Sequence, residues 1–303
     1  MINSFNNGKY NISYTSKGSG KDILFLHGFP SNMFMWSEIE NELIKKNFRV
    51  SKIEQRGYPL SSLKDMNSDD FTIDKLSSDV EILIKTLDLS NNLTLVGHDW
   101  GTVVAWSVLK RNTVSISNYL SICGGTLFPG SNVYSTLKYR DGDHYITSFQ
   151  KPKDASKVLD KNIRKTLLGS YRTKNEVSNV SLSLTSLFND DNHREYAISA
   201  KTMEELIIQY EKFGFFGPVS WYANLDKNIE LADNWIKNEV TQNITFMFGT
   251  EDRAVLLTDK MRERLIKEAD IVNIKEIAGA GHWLPHTHKE SVLNEIYTLT
   301  KDN

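Results

Sequence analysis

In Leu93-Thr94-Leu95-Val96-Gly97-His98-Asp99-Trp100-Gly101-Thr102 an apolar run stops at one polar apex, and a second apolar run follows at once. The first run, bounded by Asn91-Asn92 and Gly97, reads as a short buried strand. The second, Thr102–Leu109, reads as a buried helix. Glycines stand two before and two after Asp99. A sharp strand-to-helix turn needs them, because side chains there would clash across the bend. The turn pushes its apex side chain out at the carboxyl end of a sheet, where sites of α/β proteins form. The helix N-terminus behind the apex favours an anion. Such turns usually present a serine, which attacks a carbonyl; Asp99 would instead attack a saturated carbon and leave an alkyl ester. An aspartate capping a helix after a glycine turn has the same local pattern, so the segment alone leaves both readings open.

Strand and helix signals alternate on both sides of this turn. Tyr10–Tyr14 and Asp22–His27 read as strands, with Lys17-Gly18-Ser19-Gly20 turning between them. Met33–Lys46 has a helical stripe, Phe48–Ile53 is a strand, Leu76–Leu87 a second helical stripe and Tyr119–Cys123 a further strand. From about Phe128 to Asn234 strand signals fade and helix-compatible stretches such as Ala155–Leu168 and Lys201–Phe213 take over. Alternation resumes with strand Ile244–Gly249, a helix near Lys260–Glu268, strand Ile271–Ile277 and a helix near Glu290–Lys301. The expected fold is a doubly wound, mostly parallel α/β core over residues 1–127 and 236–303, with a helical cap inserted over 128–235.

Composition narrows the function. Of 303 residues, 40% are hydrophobic and 24% charged, a globular balance. Lys+Arg is 36 and Asp+Glu is 38, which argues against a nucleic-acid surface. Cys123 is the single cysteine, so neither an internal disulfide nor a cysteine-based zinc site is expected. His286 and His288 read as a solvated loop, and His193 as polar surface; no metal or cofactor is expected. The opening residues lack the apolar stretch of a signal peptide, and His98 and Asp99 break the longest apolar run, so no membrane span is expected. The expectation is a soluble, cytoplasmic protein, either a monomer or a homodimer.

The apex gains company elsewhere in the chain. Ile23-Leu24-Phe25-Leu26 runs into His27-Gly28-Phe29-Pro30, an oxyanion-loop pattern. The N–H groups of Phe29 and of Trp100, which follows Asp99, would be the two donors. Asp252 follows a strand in Phe248-Gly249-Thr250-Glu251-Asp252, and His282 follows another in Gly279-Ala280-Gly281-His282. The order Asp99, Asp252, His282 is the nucleophile, acid, base order of strand-end catalytic sites in such folds. Glu251 is the local competitor of Asp252, and His98 reads as a buried scaffold residue.

With these residues in hand, the chain resembles the α/β-hydrolase superfamily and, within it, the epoxide hydrolase and dehalogenase branch. The likeness rests on His27-Gly28-Phe29-Pro30, Arg56-Gly57-Tyr58, Gly97-His98-Asp99-Trp100-Gly101, Asp252 and Gly281-His282-Trp283, and it covers nearly the whole chain. Pro59 departs from it, standing where the family usually has glycine. The resemblance to epoxide hydrolases implies two cap tyrosines over the nucleophile. Tyr222, in Gly214-Phe215-Phe216-Gly217-Pro218-Val219-Ser220-Trp221-Tyr222, and Tyr145, in His144-Tyr145-Ile146-Thr147-Ser148-Phe149-Gln150-Lys151-Pro152, are similar to those two segments. The implied activity converts a small apolar epoxide and water to a diol through an ester on Asp99; the expected aromatic wall of the site is Phe29, Trp100, Trp221 and Trp283. A dehalogenase with the same Asp99, Asp252 and His282 is the first alternative, and a non-catalytic ligand-binding member of the fold is the second.

Overall fold

The computed structural model describes residues 1–89, 92–126, 144–173, 183–188, 195–235, 238–255, 257–267, 269 and 271–301. Among them, one sheet contains β1 (Asn3–Asn7), β2 (Tyr10–Gly18), β3 (Lys21–Leu26), β4 (Phe48–Ile53), β5 (Thr94–His98), β6 (Asn118–Ile122), β7 (Asn243–Gly249) and β8 (Ile271–Ile277). The order is β1-β2-β4-β3-β5-β6-β7-β8. β2 is antiparallel to β1 and β4, and every pairing from β4 through β8 is parallel. Helices α1 (Ser37–Lys45), α2 (Ile73–Thr86) and α3 (Trp100–Arg111) link the first parallel strands. Between β6 and β7 lie α4 (Tyr145–Phe149), α5 (Pro152–Asp160), α6 (Ile163–Ser170), α7 (Leu184–Leu187), α8 (Ala200–Phe213), α9 (Phe216–Ala223) and α10 (Leu225–Ala232). The chain finishes through α11 (Asp259–Lys267), α12 (Leu284–Thr287) and α13 (Lys289–Leu299).

The winding of the chain fixes where a site can form. From β3 it moves outward through α1 to β4, then back past β3 through α2 to β5. Right-handed crossovers in opposite directions put α1 and α2 on opposite faces of the sheet. α3 continues in the direction of α2 and packs beside it, while α1 packs beside α13. With both faces covered, the central strands must be apolar on both sides. Ile23, Leu24, Phe25 and Leu26 are accordingly all fully buried. The reversal between β3 and β5 opens a crevice beyond their carboxyl ends. The loops that leave those ends are His27-Gly28-Phe29-Pro30 and Asp99.

Several sequence expectations need correction. Met33–Lys46 is a 3-10 turn (Met33–Trp36) followed by α1, with Asn32 capping the turn through its side chain. Ala155–Leu168 is two helices, because the Asn162 side chain accepts from the Lys165 N–H and starts α6 afresh. The polar strand β1 carries no apolar alternation and escaped sequence reasoning. The expected 127/128 boundary lies outside the described residues, as does His193, and residues 236 and 237 beside the second boundary do too. Among the described residues no helix is long and apolar enough to cross a membrane.

Candidate active site

Asp99 sits at the apex of the β5–α3 turn with φ 52° and ψ −123°, a strained conformation for a residue with a side chain. The flanking glycines are there for space. A Cβ on Gly97 would lie 2.6 Å from the Gly101 carbonyl oxygen, and one on Gly101 would lie 2.3 Å from that of Leu26. Gly28 has the same justification, since a Cβ there would stand 2.3 Å from Asp99 Oδ1. That close approach brings the Phe29 N–H to Asp99 Oδ1 at 2.6 Å. The Trp100 N–H donates to the same carboxylate. Both expected oxyanion donors therefore converge on Asp99. Burial raises the Asp99 pKa, while the charge of His282 and these two N–H groups pull it down; the net direction is up.

Asp252 and His282 meet beside it. His282 Nδ1 donates to Asp252 Oδ2 at 2.9 Å, and Asp252 Oδ1 accepts the N–H groups of Ala254 (2.8 Å) and Val255 (3.1 Å). His282 Nε2 lies 3.8 Å from Asp99 Oδ2, the oxygen not held by Phe29. Burial lowers the pKa of His282, but the charge and hydrogen bond of Asp252 and then the charge of Asp99 outweigh it, leaving the ring at about 9. Glu251, the competitor, is exposed on the rim of the cavity. His98 is fully buried, and its Nε2 donates to the His282 carbonyl at 2.9 Å, which braces the loop that carries His282. Among the described residues, His98, Cys123 and His282 bring one potential metal-ligand atom each within 4.8 Å of one another. Burial keeps the Cys123 thiol protonated, and a metal binds the thiolate, so the trio is a poor ligand set.

An aromatic enclosure faces these groups. Tyr145, Tyr222, Phe29, Phe188 and Trp283 line the cavity that contains Asp99 and His282. Tyr145 and Tyr222 have ring centroids 6.1 Å apart, and Phe149 stands edge-on to both at 5.4 and 4.9 Å. Burial first, and the Asp99 charge second, raise the pKa of both phenols, so both keep their protons. Gln150 donates to the Tyr222 carbonyl at 2.7 Å, tying α9 to the turn after α4.

Two expected wall residues do other jobs. Trp221 is fully buried, does not border the cavity, and donates through Nε1 to the Arg56 carbonyl at 3.0 Å. One residue is about 100° of helix, enough to turn Trp221 away when Tyr222 faces in. Trp100 also stands behind the lining: its ring meets Tyr222 edge-on at 5.0 Å, and its indole N–H donates to the Tyr222 hydroxyl. Sequence reasoning missed Phe149 and Phe188, whose roles arise from packing between distant segments. It also misread His286, which is largely buried beside Tyr171 and Trp283, with burial lowering its pKa to about 4.

The comparisons with known proteins agree with this geometry. A family model described as alpha/beta hydrolase fold matches residues 22–289. "Bifunctional epoxide hydrolase 2" of Sus scrofa is 25% identical over 294 residues, covering 94% of this chain and 52% of that protein. The chain thus spans about half the length of the first curated relatives it matches. "Epoxide hydrolase A" of Mycobacterium tuberculosis is 27% identical over 283 residues, covering 86% of this chain and 84% of that protein. Among solved structures, a Vigna radiata epoxide hydrolase mutant superposes with a TM-score of 0.85 at 22% identity, covering 99% of this chain and 98% of that one. At that identity the likeness is one of fold.

Proposed function

The chain belongs to the alpha/beta hydrolase fold family, and from that premise we propose that it is an epoxide hydrolase converting an apolar epoxide and water to a vicinal diol. The observation that carries the reading is a carboxylate nucleophile beneath two protonated phenols, with a His–Asp pair on its free oxygen. Relatives of this chain carry epoxide hydrolase names, which supports it.

Asp99 Oδ2 attacks one epoxide carbon, and the carbon–oxygen bond of the ring breaks. The ring oxygen takes a proton from Tyr145 or Tyr222, leaving a hydroxyalkyl ester on Asp99 and a phenolate. Ester formation removes the Asp99 charge, one of the groups that raise the His282 pKa, so His282 falls towards neutrality when a base is needed. His282, oriented by Asp252, then takes a proton from water, and the hydroxide adds to the ester carbonyl. The Phe29 N–H already holds Oδ1, where the oxyanion develops, and the Trp100 N–H engages the same carboxylate. Collapse expels the diol oxygen, which takes the proton from His282. The new Asp99 carboxyl gives up its own proton, and the phenolate regains one.

The engagement of the Trp100 indole by Tyr222 favours an epoxide over a haloalkane. An alkoxide leaving group needs a proton donor, whereas a departing halide needs only N–H groups, and here the Trp100 indole N–H serves a tyrosine. The same reading takes residues 128–235 as the cap over the site and the cytoplasm as the place of work.

The test is the intact mass of the His282→Gln protein after incubation with aryl and alkyl epoxides and, separately, with haloalkanes and haloacetates. The expected result is an adduct equal to the whole epoxide that maps to Asp99. An adduct equal to the haloalkane or haloacetate minus hydrogen halide would overturn the reading in favour of a dehalogenase. No adduct with any compound, together with no diol from the unmodified protein, would favour a binding protein.

A further inference from the structure

Four residues of this molecule border two cavities at once. Arg172, Gly281, His282 and Trp283 line the catalytic cavity and also a second cavity on the other side of the His282 loop. The catalytic cavity is about 100 Å³, smaller than the ~150 Å³ that holds a benzene ring. The second is larger, about 360 Å³, and is bounded further by Ala197, Ala278, Glu195 and His288. Of the four shared residues, three belong to the loop that carries the base. Only Arg172 comes from the helical segment between β6 and β7.

Arg172 is 4% exposed, an unusual place for a guanidinium. It is held there by carbonyl oxygens. Nε donates to Gly169 at 2.9 Å, and Nη2 donates to Ser186 at 3.1 Å and to Leu187. Those carbonyls end α6 and α7, and the negative ends of helices favour a cation. The backbone is held as well: Arg172 bridges Tyr196, the Thr173 N–H donates to Glu195 O, and the Ala197 N–H donates to Tyr171 O. Side chain and backbone together pin Arg172 between the two spaces.

We infer that Arg172 is a partition that sets the length of epoxide the site accepts, by closing the catalytic cavity off from the larger one behind it. This rests on the epoxide reading of the site. Shortening the side chain would join the cavities and let an alkyl tail pass into the space lined by Ala197 and Ala278.

The test is kcat/KM for 1,2-epoxybutane, 1,2-epoxyhexane and 1,2-epoxydecane with the unmodified protein and with Arg172→Ala. The ratio of epoxydecane to epoxybutane should rise at least ~10-fold in Arg172→Ala, since burying each added methylene is worth roughly fourfold. An unchanged ratio in a folded Arg172→Ala protein would overturn the partition. Should Arg172→Ala fail to fold, Ala197→Phe fills the second cavity from the wall that Ala197 gives it. With a partition in place it leaves the activity on all three epoxides unchanged. A loss confined to epoxydecane would mean that the cavities already communicate, and the proposal would fall. Binding of unreactive decanamide and butanamide, followed by tryptophan fluorescence, separates this idea from the chemistry. Selective tightening for decanamide in Arg172→Ala supports the partition even if no epoxide is turned over, a result that would sink only the epoxide reading.

Discussion

The loops carrying Asp99, Asp252 and His282 are held by backbone, whereas the helices carrying Tyr145 and Tyr222 are held by rings. At the first, atoms meet at fixed offsets: a strained apex, glycines with no room for a Cβ, and carboxylate oxygens gripped by main-chain N–H groups. At the second, Phe29, Phe149, Phe188, Trp100, Tyr145 and Tyr222 meet mostly edge-on at centroid distances of 4.9 to 6.1 Å. Each such aromatic pair contributes on the order of 1 kcal/mol and tolerates small shifts. The difference teaches that the strand-end loops fix atoms at set distances, while the helical segment places its two phenols through packing alone; under the proposed function the first would hold the nucleophile and base and the second the proton donors.

The sharpest way to break that comparison is Asp99→Ala. Turnover should fall by at least ~10⁴-fold while circular dichroism stays unchanged, as expected when a nucleophile is removed from a preorganised site. Substantial residual diol formation would move the nucleophile elsewhere. Asp252→Ala comes next, with ester hydrolysis slowed by ~10³-fold or more and alkylation affected less, read by single-turnover kinetics. Unaltered hydrolysis would hand the role to Glu251. Tyr222→Phe tests the other region, and alkylation should slow by about 10²-fold, with Tyr145 still donating. A folded Tyr222→Phe protein with full activity would remove Tyr222 from the chemistry and weaken the contrast itself.

The smallest expected effect is electrostatic. Asp99→Asn copies the neutral ester while keeping its shape. Asp99 raises the pKa of His282, so its neutralisation should lower that pKa from about 9 in an NMR titration of the imidazole. The neutral, basic form of His282 would then extend to lower pH. No change would mean that Asp252 alone sets the base, and that alkylation does not time the second step.

How much of this was legible in the sequence differed between the two regions for the same reason. Gly97, Asp99 and Gly101 are legible because a tight turn imposes its demands within a few residues. Asp252 and His282 are legible because each stands in the short loop that follows a strand. Tyr145 and Tyr222 came through resemblance to a family, since no spacing rule ties two tyrosines 77 positions apart to one carboxylate. Trp221 was misplaced by a single helical step, and Phe149 and Phe188 carried no local signal at all.

The sequence by itself determined the alternation of strands and helices, the tight apex at Asp99 and the placing of Asp252 and His282 after later strands, because each follows from chain periodicity or from sterics between near neighbours. Only the tertiary structure decided which oxygen of Asp99 is held and which faces His282, that the Trp100 indole serves Tyr222, and that Arg172 stands between two cavities. Those facts depend on side chains from distant segments arriving in one place, and such meetings are settled by packing over the whole molecule rather than by any local rule.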